Sequence, residues 1–141
     1  MADPINLNGP YDSVEATVKG GFKKVMANNN KQETEEFGFW VVMKVEAAGD
    51  KRVVRYYFTD PVGGGSSEVQ LTLPVGQMVR AHCHTHPKRI STSNFSTGDK
   101  TSFSKLRDVR PGITWFLLTP QTEIRKASEE KDFPGGISVP W

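Results

Sequence analysis

The fold is decided by residues 37–58, which read FGFWVVMKVEAAGDKRVVRYYF. Residues 37–45 and 52–58 are rich in aromatic and β-branched side chains, which favour β-strands. The short link at residues 48–51, Ala-Gly-Asp-Lys, joins these two runs, and two strand-like runs with so short a link are a hairpin signature. The sequence therefore predicts a β-hairpin in the first half of the chain.

A helical pattern precedes the hairpin. Residues 13–27 carry apolar side chains at spacings of three and four, and Asp12 or Ser13 is suited to cap the helix at its N-terminus. Gly20 and Gly21 weaken the pattern because glycine is a poor helix former. We expect one helix here, packed on the sheet through its apolar face.

A second helical pattern follows at residues 97–109, with Phe103 and Leu106 facing inward. Further strand-like runs lie at residues 69–73, 77–86, 113–118 and 123–126. The order of helix, strands, helix and strands predicts an α+β domain with a mostly antiparallel or mixed sheet flanked by helices. Regular β-α-β alternation, which a doubly wound sheet requires, is missing from this order.

Length and charge restrict the class of protein. A chain of 141 residues predicts a single domain over residues 1–141. The net charge of +2 lacks the dense basic footprint of nucleic-acid binding. No signal-peptide pattern and no run of about 18 apolar residues is found, so we expect no membrane partner and a soluble protein, either cytoplasmic or secreted without a Sec-type signal.

All three histidines of the chain lie close together at a spacing of two: His82, His84 and His86. Side chains alternate along a strand, so a strand over residues 77–86 places all three on one face. Neutral imidazole is the commonest metal ligand, and two imidazoles on one strand face can converge on one ion. For an isolated His-x-His pair, the simpler interpretation is a polar strand face.

Five residues match a known motif in type and order: Glu36, His84, His86, Ser96 and Asp99. They resemble the JAMM motif of the JAB/MPN metallopeptidases, a glutamate followed by His-Ser/Thr-His-Pro and then Ser-x-x-Asp. One departure is the nine-residue spacing between His86 and Ser96, where the family usually has seven. The resemblance implies an MPN/JAB-like, cytidine-deaminase-like fold and is closest to compact bacterial JAB-like domains.

The same residues suit amide hydrolysis of a protein or peptide substrate. Two imidazoles and the carboxylate of Asp99 form a three-ligand set suited to Zn²⁺, with a fourth position open to water. Zinc lowers the pKa of such a water toward ~7, and Glu36 is the candidate base that accepts its proton and returns it to the leaving amine. Ser96 is the candidate hydrogen-bond donor to the oxyanion.

Each of these roles has a structural alternative. Ser96 and Asp99 also match a capping box, which fixes the start of a helix without any catalysis. The alternative for Glu36 is a solvated charge at a strand end, with Glu35 or Glu33 as the base, although the Glu-x-Gly match favours Glu36.

Two neighbours of the motif have other expected places. His82 is predicted to be a buried neighbour of the ligands, since two histidines and one aspartate complete the set. Cys83 falls on the opposite strand face and lacks a base beside it, which argues against a cysteine nucleophile. A zinc deaminase is a still weaker alternative, because that chemistry requires His-x-Glu with a Pro-Cys-x-x-Cys pattern and the chain has one cysteine.

The loop over residues 87–95 is composed largely of Lys, Arg, Ser, Thr and Asn, and its middle has almost nothing to bury apart from Ile90. We expect a mobile rim over the substrate groove, with Lys88 and Arg89 either biasing the site toward acidic substrates or solvating the loop. Two other functional hypotheses stay open: a non-catalytic binding or scaffold module of MPN fold, and a secreted effector or toxin domain with an immunity or chaperone protein as its partner.

Overall fold

The computed structural model describes residues 6–27, 35–63, 72–74, 76–87 and 94–141. Within these ranges the chain forms eight strands and two α-helices. In chain order they are β1 (Leu7–Tyr11), α1 (Val14–Met26), β2 (Phe37–Ala48), β3 (Lys51–Thr59), β4 (Val62–Gly63), β5 (Met78–Thr85), α2 (Thr97–Val109), β6 (Thr114–Leu118), β7 (Ile124–Ala127) and, after a short 3-10 helix (Glu130–Asp132), β8 (Ile137–Val139).

The described strands form one mixed sheet in the order β1-β3-β2-β5-β6-β7-β8, and β4 pairs with the start of β2. Every pair is antiparallel except β5 and β6, which run parallel. A parallel pair needs a long crossover, and α2 lies in the connection between β5 and β6. The predicted α+β class with a mostly antiparallel or mixed sheet is confirmed.

The predicted hairpin is formed by β2 and β3, which pair without interruption from Val41 opposite Phe58 to Ala48 opposite Lys51. Gly49 lies in the turn with a φ of +64°, a conformation in which glycine avoids the steric cost that a side chain would impose. Local chemistry is sufficient for this element because the turn and both strand patterns lie within a single short stretch.

The sheet has two buried faces, each covered by one helix. The α1 face carries Phe39 and Cys83, packed with Phe22 of α1. The α2 face carries Trp40 and Trp115, packed with Phe103 of α2. Cys83 therefore lies on the opposite face from the histidines, as predicted, and burial raises the pKa of its thiol.

Helix α1 begins after Ser13, whose hydroxyl accepts a hydrogen bond from the Ala16 N–H at 3.1 Å. The two glycines that weaken its helical pattern have a packing reason. A Cβ on Gly20 would overlap the hydroxyl of Tyr11, and a Cβ on Gly21 would overlap the ring of Phe39. Close approach of α1 to the sheet therefore requires glycine at these positions.

Three short strands and the 3-10 helix were not predicted. β1 and β8 are edge strands, and β1 contains the strand breakers Gly9 and Pro10. β4 lies within residues 60–67, which read as a flexible loop by composition, and residues 64–67 lie outside the described ranges. Of the predicted strand at 69–73, only residues 72–73 are described, and they are not in a strand.

None of the described helices is long and apolar enough to cross a membrane.

Gly21→Ala is expected to lower the free energy of unfolding by about 1–3 kcal/mol, because overpacking against Phe39 outweighs the better helix propensity of alanine. Gly98→Ala in α2 is the matched control. A Cβ there meets only the Ser96 hydroxyl, at 3.6 Å, so this change should be neutral or stabilising by up to about 1 kcal/mol. Urea unfolding in chelator compares the two; equal effects would contradict the packing argument.

Candidate metal centre

The three histidines lie on β5 in the middle of the sheet, on the α2 face. His84 pairs with Gly38 of β2 on one side and with Leu117 of β6 on the other. Gly38 has no side chain, so β2 places no side chain directly opposite the His84 imidazole. His82, His84 and His86 are all less than a tenth exposed.

Glu36 immediately precedes β2 and is level with His86 in the register that pairs Gly38 with His84. The Phe37 N–H donates a 3.0 Å hydrogen bond to the Thr85 hydroxyl, which ties the start of β2 to the end of β5. Glu36 is buried, and its Oε1 lies 3.9 Å from Nε2 of His86. The carboxylate therefore faces the histidine cluster.

The start of α2 supplies the second carboxylate. Ser96 is the N-cap, and its hydroxyl accepts a hydrogen bond from the Asp99 N–H at 3.0 Å. The Ser96 N–H in turn donates to Asp99 Oδ2 at 2.7 Å, which completes a capping box. The capping interpretation of these two residues is confirmed, and it also fixes the rotamer of Asp99.

The same Oδ2 atom of Asp99 faces both histidines. It lies 3.2 Å from Nε2 of His84 and 3.6 Å from Nε2 of His86. One ligand atom from each of the three residues falls within 4.8 Å of the others. Residues separated by up to 15 positions in sequence therefore present one oxygen and two nitrogens to a common point.

These distances fit a metal ion. In a tetrahedral site with bonds of about 2.0–2.1 Å, neighbouring ligand atoms are about 3.3–3.4 Å apart. The two separations from Asp99 Oδ2, 3.2 and 3.6 Å, lie on either side of that value. All three ligand atoms lie within 4.8 Å of one another, so the group His84, His86 and Asp99 could hold a metal ion.

The electrostatics keep Asp99 in its ligand form. Burial raises the pKa of this carboxyl, but the facing charge of His84 and hydrogen bonds with His84, His86 and the Ser96 N–H outweigh burial. The net result is a pKa well below the usual range of aspartate. Asp99 is therefore ionised at neutral pH, as a metal ligand must be.

His82 is buried but stands outside the group of three. Its ring stacks on Trp115 at a centroid distance of 4.0 Å and meets the edge of Trp40 at 4.9 Å. Burial lowers the pKa of His82 well below its usual value, and nearby His84 adds to this effect, so the ring is neutral at physiological pH. His82 and the two tryptophans form an aromatic wall behind His84, whose ring lies 5.5 Å from that of His82.

Of the alternative bases, Glu35 is the one within the described residues. Its Oε2 lies 3.5 Å from the position that a Cβ on Gly63 would occupy, so its carboxylate points toward β4 and away from the histidines. Glu33, Lys88 and Arg89 lie outside the described residues, as does most of the predicted rim. The sequence predicts that this loop has little to bury. At its described end, however, Phe95 is buried and only 2% exposed. Its large aromatic ring in an otherwise polar segment is the sequence signal that could have identified it.

Comparisons of the chain with protein-family models, with curated proteins and with solved structures find no match.

We expect wild-type protein to bind one Zn²⁺ per chain and His84→Ala to lose it, because the variant removes a ligand nitrogen. His82→Ala is the matched control: it should lower stability by opening space between two tryptophans yet keep the metal. Elemental analysis after dialysis against zinc measures both. The opposite pattern would mean that the ligands are displaced by two residues along β5.

Proposed function

We propose that this chain is a zinc-dependent hydrolase of amide bonds, of the JAMM type, with an MPN/JAB-like fold. The observation that carries the proposal is the convergence of His84, His86 and Asp99 on one point with the Glu36 carboxylate 3.9 Å from His86. These are the residues of the motif in their expected order. The substrate class is a protein or peptide, since the site suits hydrolysis of an amide and the net charge of +2 lacks the basic footprint of nucleic-acid binding.

The donor set favours zinc among the metals. Two imidazoles and one carboxylate leave a fourth tetrahedral position open, which is the arrangement of catalytic zinc sites. When bound, zinc supplies Lewis acidity and a water of lowered pKa. Open coordination is the feature that distinguishes this set from the closed four-ligand sites of structural zinc.

Charge balance also supports a cation at this site. Glu36 is 7% exposed and Asp99 is partly buried, so two carboxylates lie in a low-dielectric environment beside two imidazoles. Burying carboxylates is costly unless positive charge or hydrogen bonds compensate. For Asp99, hydrogen bonds and the facing His84 already compensate burial, and a divalent cation would add positive charge beside both carboxylates.

Glu36 is suited to be the general base. Its carboxylate approaches the centre from β2, whereas the ligands come from β5 and α2. This third direction leaves Glu36 outside the ligand group, where its carboxylate would be available to a water on a bound metal. It would accept the proton of the attacking water and later donate it to the leaving amine.

Ser96 is suited to a second role beside its cap. Its hydroxyl oxygen accepts from the Asp99 N–H and still carries a hydrogen of its own to donate. Ser96 is exposed at the start of α2, next to the ligand Asp99. A hydroxyl hydrogen bond to the oxyanion at this position would stabilise the transition state.

The topology around the site is consistent with the proposal. The ligands lie at the carboxyl end of β5 and at the start of the crossover helix to β6. Such crevices beside the carboxyl ends of parallel strands are common places for ligand sites in sheets with α-helical crossovers.

Glu36→Gln is expected to lower kcat by about 10²–10⁴-fold while keeping zinc, because a neutral amide of the same size cannot accept a proton. Glu35→Gln, which changes the adjacent carboxylate, is the control and should hydrolyse normally. The assay is a screen of fluorogenic peptides and C-terminal protein conjugates, with zinc content measured in parallel. Full turnover by Glu36→Gln would transfer the role to Glu35 or Glu33. A zinc-loaded wild type without any hydrolysis would indicate a binding module instead.

Two N-cap serines separate the capping and catalytic roles of Ser96. Ser13→Ala and Ser96→Ala should each cost about 1 kcal/mol of stability, since each hydroxyl accepts from a first-turn N–H. Only Ser96→Ala should lower kcat, by about 10²–10³-fold. Zinc content is measured in both variants so that metal loss is not mistaken for a lost hydrogen bond. Equal turnover in the two variants would leave Ser96 with the cap alone.

A further inference from the structure

We propose that Phe95 is a positioning residue of the metal centre. Held by the C-terminal segment at residues 133–136, it sets the distance between Asp99 and the two histidine ligands. This inference rests on the proposed metal site and adds to it a part of the chain that lies outside the motif.

The need for such a residue follows from the way α2 is attached. Phe103 is the buried residue of this 13-residue helix, while Ser96, Thr97 and Gly98 at its start are exposed. The first turn, which carries Asp99, thus has no buried apolar side chain of its own. Asp99 lies four residues after Phe95 and four before Phe103, so these two buried rings are its anchors.

Phe95 packs onto the sheet instead of onto its own helix. It directly precedes the N-cap Ser96, a position from which an apolar residue often packs against the fourth residue of the helix. Here that fourth residue is Lys100, which is exposed. The Phe95 ring instead meets His84 at a centroid distance of 6.0 Å and Phe133 at 5.0 Å.

These contacts close a circuit of five rings. Phe133 meets Phe103 at 5.1 Å, Phe103 meets Trp115 at 6.4 Å, and Trp115 returns to His84 at 5.8 Å. Both anchors of α2 and one ligand of the proposed site belong to this circuit. A displacement of Phe95 is therefore transmitted both to His84 and to the start of the helix that carries Asp99.

The backbone of the C-terminal segment holds Phe95 in place. The Phe95 N–H donates a 2.8 Å hydrogen bond to the Pro134 carbonyl. Gly136, with a φ of +73°, lies directly under the ring: a Cβ there would be 2.9 Å from Phe95 Cε2. The glycine is thus required both by its backbone conformation and by the closeness of Phe95.

The first test is the zinc affinity of Phe95→Ala, measured on the full chain by competition with a chromophoric chelator. We expect the variant to bind Zn²⁺ at least about tenfold more weakly than wild type. This is the lower end of the affinity loss that follows mutation of residues that orient metal ligands. Phe58→Ala is the matched control: Phe58 is equally buried, but on the α1 face. It should lose similar stability and keep wild-type affinity.

The second test perturbs Phe95 without changing it. Gly136→Ala adds a methyl group that meets Phe95 Cε2 at 2.9 Å and also the Lys126 carbonyl oxygen at 3.1 Å, whereas Gly76→Ala adds one at a nearly equal φ of +75° with nothing within 4 Å. The cost of the left-handed φ is thus matched, and only Gly136→Ala should weaken zinc binding. In zinc-free protein, the Asp99 amide, which donates to Ser96, should exchange its hydrogen faster in Gly136→Ala than in Gly76→Ala.

The outcomes distinguish this inference from the proposed function. Wild-type zinc affinity in both Phe95→Ala and Gly136→Ala would overturn the positioning role and leave the metal site intact. Equal losses in the matched controls would also overturn it, since they would reflect general destabilisation. Failure of the wild type to bind zinc would overturn the metal site itself. If Phe95→Ala does not fold, Gly136→Ala and its control decide the question.

Discussion

The antiparallel register of β2 against β5 is the constraint on which the rest of the structure depends. It pairs Gly38 with His84 and Trp40 with His82. Because strand side chains alternate, this register directs all three histidines to the α2 face and Cys83 to the apolar α1 face. A slip of one residue would place the imidazoles among the phenylalanines under α1, where nothing compensates their polarity.

The parallel pairing of β5 with β6 determines where the second carboxylate arrives. A parallel neighbour requires a crossover, and the crossover helix α2 returns the chain over the end of β5. Asp99 in its first turn then reaches His84, 15 residues earlier in the chain. An aspartate at position 99 also stabilises the helix itself, because a carboxylate in the first turn complements the helix dipole and closes the capping box. Helix chemistry and site geometry thus require the same side chain at the same place.

Aromatic rings surround the inner side of the site. His84 lies among the rings of His82, Phe95 and Trp115, which restrict its orientation. Rings of this size bury large areas while keeping few rotatable bonds, so they stabilise a ligand in one rotamer. On the proposed function, these three rings close the inner side of the site, and chemistry takes place on the side from which Glu36 and Ser96 approach.

The sequence by itself determined the elements whose signals are local. The bounds of α2, the β2–β3 hairpin and the Ser96 cap follow from short-range periodicity and capping, and the order Glu36, His84, His86, Ser96 and Asp99 follows from the motif. For α1 the sequence left Asp12 and Ser13 as alternative caps, and the structure has Ser13. The tertiary structure alone decided the edge strands β1 and β8. β1 contains Gly and Pro and β8 follows them, so these strands form only because a neighbouring strand offers hydrogen bonds. It also decided that Glu36 and not Glu35 faces His86, and that Phe95 is buried against the C-terminal segment. These outcomes depend on contacts between residues far apart in the chain, and no local pattern encodes a distance across the sheet.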